Sequence, residues 1–405
     1  MKNSASGEPR VCLLTETFYP VVGGGETHAR LLARELNSMG MTTFVLTRRS
    51  SAELRSCEMV DSTQVCRLPP SRMKRFGKYL MVPFAQNSLS RHRHAYDLIL
   101  VCGFRVLGAP AVRMSKRLGK TCVLRAEALG EMSGGYASAY QELPLIVGAV
   151  FRKWIGWRNR LLKQADAFIA ISKPVGREFE ESGADPIFEI PNGIDSDLFK
   201  PMPESREFLR KELGLPMGDT IAVYSGKLNQ GKGLGTLLLA WEKVCAGRQG
   251  THLVLVGSGG GQSLSCEDQL RDMVRERKLS VIFTGYVENV HEYLQAGDMF
   301  LFPSENEAFG LSLVEAMSCG LPVIASRVGG IPEIVSHADN GILVEPADPD
   351  RLAIEIEGLI EQPALAGKLG ESARKTVCER YSIKAVARQY YELLCRIHSS
   401  KNTWG

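Results

Sequence analysis

The stretch PSENEAFGLSLVEAMSCGLPVIASRVGGIPEIV, residues 303–335, decides how the chain is read. Glu307 and Glu315 are separated by a tight Phe309-Gly310 turn and the start of an apolar helix. Gly320 stops that helix and Pro322 follows at once, the usual pairing at a helix C-terminus. A short β run, Pro322 to Ala325, comes next, and then the paired glycines Gly329 and Gly330. Strand, acidic loop and helix start, in that order, aim backbone N–H groups at an anion while carboxylates stand nearby for hydroxyls. A diphosphate carrying many hydroxyls, a nucleotide-sugar, has that chemistry.

Outward from this stretch the pattern is β-α alternation. Strands are expected at Val11–Leu14, Thr43–Thr47, Asp97–Val101, Thr121–Leu124, Ala167–Ile171 and Ile187–Ile190. An amphipathic helix is expected over residues 27–39, ending at Gly40, and residues 48–64 read as a polar surface loop. After Phe199 the series restarts at Ile221–Tyr224, His252–Val256, Val281–Phe283, Met299–Phe302 and Val323–Ala325. Short apolar strands alternating with helices predict parallel sheets covered on both faces. Two such series predict two facing doubly wound, Rossmann-like α/β domains. With 405 residues the chain is too long for one ordinary core, which agrees. The boundary falls at IPNGIDSDLFKPMP, residues 190–203, with its Asn192-Gly193 turn and three prolines. The expected domains are therefore 1–190 and 191–380, followed by a C-terminal segment, 381–405, holding a last helix near Ile383–His398.

An apolar share of 44% with 23% charged residues is that of a soluble globular protein, and no run reaches the ~18 apolar residues of a membrane span. The N-terminal MKNSASGEPR has no apolar core for a secretory leader. The ten cysteines show no C-x-x-C pair or metal-ligand spacing, so a reduced, cytoplasmic chain without a metal centre is expected. Cys12, Cys102 and Cys122 sit in strand-like runs as small buried hydrophobes. Charge is uneven: residues 1–200 carry 28 Lys and Arg against 19 Asp and Glu, and residues 201–405 carry 21 against 26. Between Arg67 and Arg125 stand 13 basic residues and one acid, Asp97, a field that attracts an anionic partner. RMKRFGKYLMVPF, residues 72–84, and the Phe151–Arg158 run with Trp154 and Trp157 interleave cations with aromatics. That suits an anionic membrane surface, placing the protein peripherally on the inner face, a phosphate-bearing lipid acceptor, or an amphipathic helix packed on a sheet. Nucleic acid is disfavoured by the acidic second half.

The 303–335 stretch resembles the donor-binding signature of the family-four retaining glycosyltransferases of GT-B architecture. Glu307, Glu315, Gly320, Pro322, Val323, Gly329, Gly330 and Glu333 fall in register with it. Pro191, Asn192, Gly193, Asp195 and Phe199 match that family's interdomain crossover. The resemblance is dense over 186–346, adequate over 9–47 and thin over about 57–165. It implies transfer of a sugar, with retention, from a nucleotide diphosphate donor to a glycan or lipid-linked glycan, with no cofactor or metal. It also implies that the last helix returns to the first domain.

The resemblance assigns site residues one by one. Lys227, beside Gly226, and Lys232 correspond to the two cations that clamp the donor diphosphate, with Lys227 where Arg is commoner. Fixed cations stabilise the charge left on a departing diphosphate most in the transition state. Taken alone, both lysines also read as solvated loop residues. Glu307 is expected on sugar hydroxyls and Glu315 on ribose hydroxyls, with N–H groups of Phe309, Gly310 and Leu311 on the sugar or distal phosphate. Gly257 opens a glycine turn that either lines the nucleotide pocket or simply joins strand to helix. In the first domain Gly23, Gly24 and Gly25 match a loop that lets backbone approach the phosphates. His28 reads as a half-buried helix residue with a local bond. The family carries a histidine after a central strand where this chain has Arg125, Ala126 and Glu127, with Glu131 beyond. Arg125 is expected to pair with phosphate or Glu127, and Glu127 or Glu131 to orient the acceptor or serve structure. A nucleotide-sugar epimerase, a non-catalytic binding module and an NAD-dependent dehydrogenase are the alternatives. The dehydrogenase is disfavoured because Gln262 breaks the G-x-G-x-x-G pattern.

Overall fold

The computed structural model describes residues 8–71, 76–134, 145–260 and 264–402, with the side chains of 145–152 and 401–402 outside that description. Arg72, Lys74, Arg75, Gly261 and Gln262, and the side chain of Phe151, therefore lie outside the described residues. Contacts divide the chain into two units, Met1–Gly193 with Ile383–Gly405, and Ile194–Ser382.

In the first unit the apolar runs form β1 (Val11–Thr15), β2 (Thr43–Arg48), β5 (Leu98–Cys102), β6 (Thr121–Arg125), β7 (Ala167–Ala170) and β8 (Ile187–Glu189). Two more strands, β3 (Cys57–Val60) and β4 (Thr63–Leu68), complete a sheet of order β3-β4-β2-β1-β5-β6-β7-β8. All neighbours pair in parallel except β3 and β4, an antiparallel hairpin at one edge. This corrects the expectation of a surface loop over 48–64. Met59 is 65% exposed and Cys57 exposed, so an edge strand with one wet face carries no continuous apolar run. The first helix, α1 (Gly24–Ser38), begins three residues earlier than its periodicity predicts. Gly24 and Gly25 have no side chains to mark the period, and a helix's first N–H groups need no intrahelical partner.

Helices α2 (Gly77–Leu80), α3 (Val82–Arg91), α4 (Phe104–Leu118), α5 (Leu145–Leu162) and α6 (Lys173–Glu181) complete this unit's crossovers. The final helix, here α15 (Ile383–Asn402), returns and packs on α1. Val386, Ala387, Tyr390 and Leu394 are fully buried in one core with Leu32, Leu36, Val45 and Leu100.

The second unit has β9 (Thr220–Ser225), β10 (Thr251–Val256), β11 (Val281–Gly285), β12 (Met299–Phe302), β13 (Val323–Ser326) and β14 (Ile342–Val344). Every pair is parallel, in the order β11-β10-β9-β12-β13-β14. That is the doubly wound order in which the chain reverses direction across the sheet between its first and fourth strands, here β9 and β12. Ligands in such sheets bind beyond the strand C-termini at that reversal. The helices α7 (Arg206–Glu212), α8 (Leu234–Gly247), α9 (Glu267–Arg277), α10 (Val290–Ala296), α11 (Leu311–Ser318), α12 (Ile331–Ile334), α13 (Pro349–Glu361) and α14 (Pro363–Arg380) link the strands and close the unit. Among the described residues no helix is long and apolar enough to cross a membrane.

Candidate donor site and family

The loops after β9 and β12 leave the second sheet side by side at the reversal. After β9 come Gly226 and Lys227, and Tyr224 anchors the turn by donating its hydroxyl to the Lys227 carbonyl at 3.1 Å. Gly226 N–H donates to Val256 O at 2.9 Å, and Gly257 N–H to Gly285 O at 3.1 Å, so the ends of β9, β10 and β11 are tied in one row. Lys227 is exposed; Lys232 is half-buried.

After β12 the chain runs through Glu307 to Gly310, which caps α11 at φ +105°. Lys232 Nζ meets Glu307 Oε2 at 2.7 Å, with the two side chains 29% and 16% exposed. Glu305 N–H donates to Gly231 O at 3.0 Å and fixes one loop against the other. The Glu307 backbone is held from below: Gly330 N–H donates to Glu307 O at 3.1 Å. A Cβ on Gly329 would overlap that same carbonyl oxygen, and Gly329 has φ +52°, so the paired glycines are there to admit the Glu307 loop.

Phe309 points inward, 4% exposed, with its ring edge-on to Tyr381 at 5.9 Å. Only its backbone remains for a ligand. Leu311 opens α11, whose leading N–H groups lack intrahelical acceptors and carry the positive end of the helix dipole. Glu315 lies one turn in. Burial pushes its carboxyl up to about 8. Among the described residues Lys232, Glu307, the start of α11 and Lys227 thus share one end of one sheet, while Glu315 offers a carboxyl held near neutrality.

The first unit has its own cluster at its strand C-termini. Gly23 caps α1, and Gly24 and Gly25 are its first residues. A Cβ on Gly25 would stand 2.8 Å from the Glu127 carboxylate, so the glycine makes room for that acid. Arg125 is fully buried. Its Nε donates to the Tyr390 hydroxyl at 2.9 Å, one terminal nitrogen to Asn192 Oδ1, and the other reaches Glu127 Oε1 at 3.5 Å. Burial opposes its charge, but Tyr390, Cys102 and Glu127 outweigh it and hold the guanidinium protonated. Burial pushes the Glu127 carboxyl up against the pull of Arg125.

Glu131, 2% exposed, accepts from Phe104 N–H at 2.8 Å and Glu127 N–H at 2.9 Å and is pushed up to about 7 by burial. It braces the loop that carries Glu127. Arg125 and Glu131 are thus enclosed, and Glu127 alone of the three keeps an exposed edge, at 29%. His28 departs from its expectation. It is fully buried, and its Nδ1 accepts from Gly193 N–H at 3.0 Å, a partner 165 positions away rather than a local one. Burial and the nearby Arg125 lower its pKa well below the ordinary value, so it is neutral. No signal in the sequence marks Tyr390 or Glu178, and Asn192 reads there only as part of the crossover. Glu178 accepts from Met132 N–H at 2.9 Å and Ser133 N–H at 2.8 Å to hold the same loop.

Two parallel-sheet Rossmann-like units with a ligand site at a sheet reversal are the architecture of GT-B glycosyltransferases. Residues 22–198 match the model of Glycosyltransferase Family 4, and residues 205–376 that of Glycosyl transferases group 1. Over 231 residues the chain is 31% identical to N-acetyl-alpha-D-glucosaminyl L-malate synthase of Bacillus anthracis, covering 56% of this chain and 59% of that relative. Over 261 residues it is 30% identical to GDP-mannose-dependent monoacylated alpha-(1-6)-phosphatidylinositol monomannoside mannosyltransferase of Corynebacterium glutamicum, covering 59% and 67%. The chain thus spans about three-fifths of the length of the Bacillus relative. The solved structure of sucrose-phosphate synthase from Thermosynechococcus elongatus superposes with a TM-score of 0.80 at 25% identity, over 96% of this chain and 100% of that one. The chain belongs to the family 4, group 1 glycosyltransferases.

Proposed function

We propose that this protein moves a sugar from a UDP- or GDP-sugar to a glycan or lipid-linked glycan with retention of configuration. The Lys232–Glu307 pair beside the α11 N-terminus supports this reading most strongly. An arriving diphosphate draws Lys232 from Glu307, and the freed carboxylate accepts from the sugar hydroxyls. Lys227 and the α11 N–H groups take the rest of the phosphate charge, and Glu315 accepts from the ribose. The sugar C1–O bond to phosphate breaks as the acceptor oxygen bonds C1 on the same face. The acceptor proton passes to the leaving phosphate oxygen. The residues named supply position and charge stabilisation, with no protein nucleophile. No step is assigned to a metal, so transfer should persist in a chelator. Glu127, paired with Arg125 and given room by Gly25, orients the acceptor hydroxyl.

The test is transfer from candidate nucleotide-sugars with the product anomer read by NMR. A product retaining the donor's configuration supports the reading; an inverted product overturns retention. One observation favours a binding module: Arg125, not histidine, stands at the end of β6. Nucleotide binding without hydrolysis or transfer would favour that module.

We further propose that the first unit docks on an anionic bilayer. Phe76, Tyr79 and Phe84 on or beside α2 and α3 are 63%, 53% and 44% exposed, and Trp157 on α5 is 59% exposed. Lys78 Nζ stands 5.3 Å over the Tyr79 ring. Aromatics with cations suit the headgroup region. Sedimentation with phosphatidylglycerol vesicles, but not with phosphatidylcholine vesicles, supports this; equal recovery with both contradicts it.

A further inference from the structure

Cys57 and Cys66 face each other across the edge hairpin. Register pairs them directly, with Val60 opposite Thr63 at the far end. Asp61 and Ser62 form the two-residue turn, both left-handed at φ 44° and 64°, the geometry that matches strand twist in tight hairpins. Arg67 N–H donates to Ser56 O at 2.7 Å, so 56 and 67 are a hydrogen-bonded pair. By alternation the next pair, 57 and 66, is a non-hydrogen-bonded one, in which Cα atoms stand only about 4.5 Å apart. That lies at the short end of the disulfide range. The Cys57 thiol donates to the Cys66 sulfur at 3.1 Å. Cys57 is exposed and Cys66 buried, so one sulfur is open to a solution reagent and the second waits behind it.

The hairpin also supports the loop that runs into α1. Next to Cys66, Arg67 donates to Glu58 at 2.5 Å and to the Tyr19 carbonyl at 2.7 Å. At the turn, Asp61 accepts from Arg30 at 2.6 Å, and the Arg30 guanidinium stacks 4.3 Å over the Tyr19 ring. Tyr19 is thus gripped through backbone and ring by residues of, or paired with, one hairpin. It begins the segment ending in Gly23, Gly24 and Gly25.

We propose that Cys57 and Cys66 are a reversible thiol-disulfide site that stiffens the hairpin and, through Arg67 and Arg30, the Tyr19–Gly25 loop. The oxidant class is a low-molecular-weight disulfide. The Cys57 thiolate attacks one sulfur of that disulfide and expels the first thiol. The Cys66 sulfur then attacks Cys57 Sγ and expels the second. Two protein thiols and one small disulfide become one protein disulfide and two small thiols, with both protons carried away on the released thiols. An excess of a reducing thiol runs the same two exchanges backwards, which makes the step reversible.

The folded full chain is incubated with glutathione disulfide, alkylated and cleaved with trypsin. Cleavage after Arg55 and Arg67 puts both cysteines in one peptide. The site predicts that this peptide is unalkylated, lighter by two hydrogens than its reduced form, and restored by dithiothreitol. Backbone amide exchange at Val21–Gly25 should slow several-fold on oxidation in the native chain and not in Cys57→Ser. Alkylation of both cysteines after treatment, or a stable glutathione adduct on Cys57, overturns the site. Unchanged exchange in a fully cross-linked chain overturns its link to the loop.

Discussion

Lys232 and Glu307 are 75 positions apart in the chain and meet at 2.7 Å, each on the loop that follows one of the two strands flanking the sheet reversal. Both are half-buried at the place where a doubly wound sheet takes its ligand. In the proposed function the cation is held ready for the donor's anion, and the carboxylate is kept paired until it arrives.

Replacing that cation removes charge stabilisation for a departing diphosphate. Lys232→Ala should lower kcat by roughly 10²–10³, about 3–4 kcal/mol, as removal of a comparable charge-stabilising donor does. The fold should persist, because both partners keep contact with water. Initial rates at saturating donor, with circular dichroism as the check on folding, decide this. A variant with near-native kcat would contradict the diphosphate assignment.

The Glu307 loop should be equally sensitive from below. Gly329→Ala puts a methyl into the Glu307 carbonyl oxygen at a left-handed residue, and should cost upwards of about 2 kcal/mol. Gly358→Ala, inside α13 with open space around its Cβ, should instead stabilise by about 0.5–1 kcal/mol. Urea denaturation of the two variants should move the midpoint in opposite directions.

Arg125 and Glu127 should separate structure from activity. Arg125→Met breaks a fully buried cluster with Tyr390 and Asn192 and should cost about 3–5 kcal/mol. Glu127→Gln keeps shape and leaves Arg125 its other two partners, so its Tm should stay close to native while transfer falls. The acceptor-orienting role fails if Glu127→Gln transfers at the native rate.

Stability should fall as pH rises from about 5 to 8. Burial raises Glu315 to about 8 and Glu131 to about 7, so the folded chain binds more protons here than the unfolded chain, whose glutamates titrate near 4.3. Their contribution is fully present below the unfolded value and is lost as pH rises through the folded ones. Unfolding free energy measured by urea at several pH values should therefore slope downward, and Glu315→Gln should flatten the upper part of that slope. A native profile that rises from pH 5 to 8 would contradict it.

Much of this architecture is legible in the amino-acid sequence. Short apolar runs separated by helical patterns mark buried parallel strands, so most of both sheets can be read directly. Glycines and carboxylates over 303–335 mark the candidate donor loop, because the proposed backbone approach and hydroxyl recognition demand those residue types. The β3–β4 hairpin is not legible, since alternating wet and dry positions such as Met59 and Val60 look polar as a run. The three-residue β14 is too short to show. Long-range closure is also hidden. Arg125 meets Tyr390 across 265 positions, and His28 meets Gly193 across 165; no local pattern reports such pairs.

In the proposed function the loops joined by Lys232 and Glu307 hold a nucleoside diphosphate. A thermal-shift comparison of the native chain and Lys232→Ala against UDP, GDP and ADP tests it most directly, since a ligand of the native state raises Tm by mass action. A clear rise is expected with UDP or GDP in the native chain and a much smaller one in Lys232→Ala. No rise with any nucleotide in well-folded protein, or an equal rise in the variant, would contradict it.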